Sequence, residues 1–158
     1  MDNYVYDEDI FENQVEFLAE RNVWDRIGGP DIGLGLGGAI SLKKSGYTIE
    51  EKFKLIVSAT ISVINDLDIE NMVLSNREKN HVLSLVDKIP DFQYKNPSAF
   101  VLGYMVAMHS DYKTLELDQN ALGLCFQINS EIADNMFTKI ENDDIIRYTR
   151  LCLLHKIK

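Results

Sequence analysis

The chain has 158 residues, 46% of them apolar and 9% aromatic, which is enough to bury one core, and 25 acidic against 16 basic residues give it a net charge of −9. A field of that sign repels phosphate, so binding to nucleic acid over a broad surface is not expected, nor is attachment to an anionic membrane. Two cysteines are too few for a disulfide framework, no apolar run approaches the roughly 20 residues of a membrane span, and the acidic start is the opposite of a signal peptide's basic one. The expectation is a soluble, intracellular protein of a reducing compartment.

Residues 1 to 25 hold eight acids against Arg21 alone, and residues 1–7 are an acidic lead-in and a candidate for disorder. From Glu8 to Arg26, Ile10, Val15, Phe17, Leu18 and Trp24 recur among acids as a loosely amphipathic helix, which Gly28-Gly29-Pro30 stops. Six of the chain's nine glycines then fall between residues 28 and 40. Gly33, Gly35 and Gly38 have the spacing of a dinucleotide fingerprint, but that fingerprint needs a strand before it, a helix opening at its third glycine and an acid about 20 residues further on. Here a helix precedes, and no Gly-Lys-Ser or Gly-Lys-Thr follows to make a P-loop. The stretch reads as a bending loop that tucks Leu34 and Leu36 against the domain.

Thr48-Ile49-Glu50-Glu51 is a capping box, and Phe53, Ile56, Val57, Thr60, Ile61 and Ile64 follow it at helical spacing, so one face is apolar for about four turns. Ser75-Asn76-Arg77-Glu78 opens a second, shorter helix that ends near Pro90, with Leu74 placed as a hydrophobic staple. Asn96-Pro97 opens a third, since asparagine caps and proline suits the first helical position. Phe100, Val101, Leu102, Tyr104, Met105, Val106 and Met108 make it apolar on nearly every side, which predicts the centre of the core.

Tyr112 to Leu117 alternates like a strand but has no partner, so an extended linker is expected. Residues 118 to 139 read as one or two helices, with a break near Asn129-Ser130. Asn142-Asp143-Asp144 supplies a cap and first-turn acids for a final helix, whose Arg147, Arg150, His155, Lys156 and Lys158 complement the dipole toward its end. The fold expected is all-α, a single compact domain over 1–158 of about five to six helices, with the glycine-rich loop between the first two.

Little in this pattern nominates chemistry. Cys152 and His155 lie at helical spacing, but they make half a zinc site without a second pair, so no metal or cofactor is expected. Cys125 and Cys152 sit in apolar surroundings that disfavour a thiolate, and the paired carboxylates coincide with caps and helix ends. What remains is a basic cluster, Arg147, Tyr148, Arg150, Lys156 and Lys158, as a candidate partner-binding face. The acidic N-terminal segment is read as a solvated face; docking on a basic neighbour, such as a second copy's C-terminal helix, is the alternative.

Two strings carry a resemblance: Tyr94-Lys95-Asn96-Pro97-Ser98-Ala99-Phe100-Val101-Leu102-Gly103-Tyr104 and Asp144-Ile145-Ile146-Arg147-Tyr148-Thr149-Arg150-Leu151. They resemble small, mostly helical, functionally uncharacterised proteins of large nucleocytoplasmic DNA viruses, over roughly the C-terminal half. The resemblance implies a protein made in an infected cell, with a role in the particle or in viral transcription. Three readings follow, in order of preference. The first is a non-enzymatic helical interaction protein, bound to a protein partner, a second copy or a viral assembly. The second is a transcription-associated factor that contacts polymerase or nucleic acid through the basic C-terminal helix, and the third a small enzyme that binds a phosphorylated ligand at the glycine loop.

Overall fold

A computed structural model of the chain describes residues 48–69, 72–89, 93–135 and 140–155. Five helices run through them: α1 (Ile49–Leu67), α2 (Asn76–Val86), α3 (Pro97–Met108), α4 (Gln119–Asn135) and α5 (Asn142–Leu154). The only β-type pairing among the described residues is an isolated bridge between Asp111 and Glu116. The protein is therefore all-α. The expected first helix, the glycine stretch of 28–40, the acidic lead-in of 1–7, Lys156 and Lys158 lie outside the described residues.

The capping chemistry forms as the sequence predicts. The Thr48 hydroxyl accepts from the Glu51 amide at 3.1 Å while the Glu51 carboxylate accepts from the Thr48 amide at 2.8 Å, and Ser75 and Glu78 repeat the exchange at 3.2 and 2.9 Å. These backbone hydrogen bonds hold the Glu51 carboxyl below its ordinary range. Asn96 caps α3 through the Ala99 amide, with Pro97 in the first turn. Asp68 ends α1 in the left-handed conformation, φ 50°, which aspartate tolerates better than most residues.

The centre is α3, buried from Pro97 to Ala107. Helix α5 packs against it most extensively, α1 next and α4 less, while α2 lies on α1. A row of rings ties these layers together: Tyr94 to Phe53 at 5.2 Å between centroids, Phe53 to Phe100 at 5.5 Å and Phe100 to Tyr148 at 5.5 Å, all tilted or edge-on as aromatic quadrupoles prefer. Thr60 of α1 and Ser98 of α3 share a buried hydroxyl contact of 2.9 Å beside that row.

Three expectations need correction. Helix α4 runs unbroken through Asn129 and Ser130, because the Asn129 side chain turns inward and donates to the Ile140 carbonyl at 2.7 Å instead of competing for its own backbone. Helix α5 is capped at Glu141, without a side-chain hydrogen bond, so Asn142 is its first residue, and its last turn carries no basic residue. The segment from Asp111 to Glu116 is neither strand nor extended linker. It closes on itself, the Asp111 carbonyl accepting from the Leu115 amide at 2.8 Å, with Leu115 at φ 62°.

Candidate functional site

The two strings that carry the resemblance meet in space. The first supplies the turn before α3 and most of α3; the second is the body of α5. Gly103 is the point of closest approach, since a Cβ there would stand 2.6 Å from the Tyr148 Cβ and 2.8 Å from the Thr149 nitrogen. Without a side chain at 103 the two backbones can come together, and Tyr148 is carried to the foot of α3. Its phenol oxygen accepts from the Lys95 and Asn96 amides, each at 3.2 Å, and donates to the Gln93 carbonyl. One side chain of α5 thus satisfies three backbone groups of a turn that no helix can satisfy. Burial raises the Tyr148 phenol well above its ordinary pKa, so it stays protonated and keeps the donor it needs.

Asp144 extends this clasp. It is 7% exposed, with Lys95 at 3.9 Å and Arg147 at 4.0 Å from its carboxylate. Burial raises its pKa more than the two cations lower it.

Elsewhere the titratable groups also serve the scaffold. His81 Nδ1 lies 3.0 Å from the Tyr104 hydroxyl, ring edge to ring face, and burial raises the Tyr104 phenol with Glu78 adding to it. Burial pushes the Cys125 thiol up to about 12 and raises Cys152 as well, so both are held as neutral thiols. Among the described residues no group of three or more His, Cys, Asp or Glu could hold a metal ion, and no helix is long and apolar enough to cross a membrane.

The basic cluster expected from sequence is split. Tyr148 is 2% exposed and belongs to the core, whereas Arg150 is exposed and Arg147 half-buried beside Asp144. The periodicity already carried this division: Ile145, Tyr148, Thr149 and Cys152, spaced by three and four residues, form the buried stripe of α5. Adjacency within one turn had grouped Tyr148 with arginines that point elsewhere. A second surface, not legible in the sequence, is a small concavity lined by Met72, Val73, Leu74, Glu78, Met105, Met108 and His109. No local pattern marks Val73 or Met108 as exposed, because only the packing of the α1 to α2 connection on α3 decides it.

The fold and the clasp define a class: an all-helical domain whose central apolar helix is closed by a glycine-permitted crossing and a buried tyrosine. The chain belongs to the family described as "Family of unknown function (DUF5770)", which it matches over residues 15–155. It is 61% identical over 154 residues to uncharacterized protein 072L of Invertebrate iridescent virus 3, covering 96% of this chain and 98% of that one. It is 31% identical over 146 residues to uncharacterized protein 045L of Frog virus 3 (isolate Goorha), covering 91% and 99%. Both relatives come from large nucleocytoplasmic DNA viruses, and the likeness extends well beyond the C-terminal half. No solved structure matches the chain.

Proposed function

We propose that the protein acts by contact, as a non-enzymatic helical interaction protein in the virus particle or in its assembly. The observation that carries this reading is where the reactive side chains are spent. Tyr148, Asp144, Cys125 and Cys152 are turned inward, and Tyr148 and Asp144 join α5 to α3. The outer face of α5 presents Arg150 and Leu154, the latter 65% exposed, with Arg147 and Ile146 beside them. A rigid scaffold that displays a mixed basic and apolar helix face suits a protein partner.

Affinity capture of the tagged protein from infected cells, at low and moderate salt with mass spectrometry of what is retained, tests the reading. Capsid or core proteins in fixed ratio are the expected result. Recovery of the chain alone would overturn it. The same exposed Arg150 supports the second reading, contact with polymerase or nucleic acid through α5: polymerase subunits in the eluate, lost on Arg150→Glu in a salt-sensitive way, would favour that alternative.

A further inference from the structure

The connection from α1 to α2 brings Met72, Val73 and Leu74 to the C-terminal end of α3, where Met105, Met108 and His109 meet them and Glu78 forms part of the rim. One wall is fixed. The Asn65 amide donates to the Leu74 carbonyl at 3.0 Å and accepts the Leu74 N–H at 2.8 Å, which holds this connection to α1 as a neighbouring strand would. Val73 and Met108 nevertheless remain 48% and 37% exposed.

Three of the chain's five methionines line this one concavity. Met108 stands exposed over Met72 and Met105, each 2% exposed, and because methionine is unbranched and polarizable the three can shift to admit an apolar side chain. The segments that frame it are acidic. Residues 65–69 and 72–78 hold Asp66, Asp68 and Glu78 against Arg77, and residues 108–118 hold Asp111, Glu116 and Asp118 against Lys113. That field draws cationic partners and discourages acidic ones, including further copies of a chain whose net charge is −9.

We infer that this methionine-lined concavity docks a basic amphipathic helix of a partner protein, with an apolar side chain seated between Val73 and Met108 and lysines or arginines set against the acidic frame. Helices bind such surfaces by a few apolar anchors on one face and are oriented by the charges beside them. The inference rests on the interaction reading above and names a surface and partner class for it.

The test uses the full chain with 13C-labelled methionine methyls, titrated with a synthetic Leu/Lys amphipathic helical peptide and with a Leu/Glu peptide of the same pattern. The Leu/Lys peptide is expected to shift the Met72, Met105 and Met108 methyls, to bind at least about tenfold tighter than the Leu/Glu peptide, and to weaken as salt screens the rim. Val73→Glu separates docking from mere charge attraction, because it adds a negative charge while spoiling the apolar seat. Docking predicts weaker binding, whereas general attraction predicts tighter. Gln127→Glu adds the same charge at an exposed position of α4, outside the lining and the α5 face, and should leave binding unchanged or tighter.

Unmoved methyls, equal binding of the two peptides, or binding that survives Val73→Glu would overturn the inference. So would concentration-dependent self-association that shields the same methyls without peptide, which would assign the face to a second copy. If capture from infected cells recovers partners that Val73→Glu fails to release, this surface is wrong while the interaction reading stands; recovery of the chain alone removes the broader reading instead.

Discussion

A methyl group placed on Gly103 would meet the Tyr148 Cβ at 2.6 Å and the backbone of 148 and 149 at 2.8 and 2.9 Å, whereas one placed on Gly123 would meet nothing within 4 Å. Both glycines are helical, so alanine brings each the same gain in helix propensity, close to 1 kcal/mol. At 103 the obstructing atoms are backbone and Cβ, which cannot swing aside, and overpacking of about 1–3 kcal/mol outweighs that gain. Gly103→Ala is therefore expected to lower the free energy of unfolding in urea, and Gly123→Ala to raise it by about 0.5–1 kcal/mol. Equal shifts in the two variants would mean that α3 and α5 are not held at this distance. Asp144 makes a second residue-scale argument, through pH. Burial raises its folded pKa, so the cost of ionising it is absent below the ordinary carboxylate range and grows as pH rises through the folded value. Asp144→Asn, a neutral near-isostere, removes that dependence. Measured against this variant, the natural protein should lose stability as pH rises from the ordinary carboxylate range through the raised folded value, and a flat difference would show that Lys95 and Arg147 fully offset the burial.

At the scale of elements, what was legible was local. Thr48, Ser75 and Asn96 each cap the helix that their spacing announces, because the bonds they make reach only three residues along the chain. Asn129 failed for the opposite reason. Its partners are the Ile140 carbonyl and the Asn142 side chain, 11 and 13 residues away, and a helix-breaking residue type becomes a helix-interior one when a tertiary acceptor takes its donors. This tie fixes where α5 begins relative to α4, so it should tolerate a change of shape better than a change of polarity. Asn129→Asp keeps the shape, yet it sets a buried carboxylate oxygen against two acceptors. It is expected to cost about 2–4 kcal/mol at neutral pH. Part of that loss should return on acidification, because a protonated aspartate regains one donor and burial among acceptors raises its folded pKa. Thermal unfolding at pH 7 and pH 4 reads both effects, and a variant as stable as the natural protein at pH 7 would mean the tie does not form.

For the whole molecule, the candidate surfaces were harder to read than the scaffold because exposure is a property of the assembled helices. The apolar α3 announced the centre, and the capping boxes announced α1 and α2. Val73 and Met108, by contrast, resemble core residues until the layers are stacked, and Tyr148 resembled a surface residue until α5 was turned toward Gly103. The same stacking sets how the protein opens. Cys125 on α4 and Cys152 on α5 are 0% and 2% exposed, and with its pKa pushed up to about 12 the Cys125 thiol has almost no reactive thiolate at pH 8. A thiol reagent can then reach either one only through an opening of the fold, at a rate set by the free energy of that opening. Helix α4 packs less extensively on α3 than α5 does, so Cys125 is expected to react first, through local release of α4. Cys152 lies on the helix held by the Gly103 crossing and the Tyr148 clasp, so its labelling should await global unfolding. Gly103→Ala should then accelerate labelling of Cys152 by about tenfold for each 1.4 kcal/mol it removes, with a smaller effect on Cys125. Peptide mass spectrometry of a labelling time course resolves the two sites. If both thiols react at a single rate in the natural protein, α4 and α5 open as one unit, and the lighter packing of α4 does not make it separable.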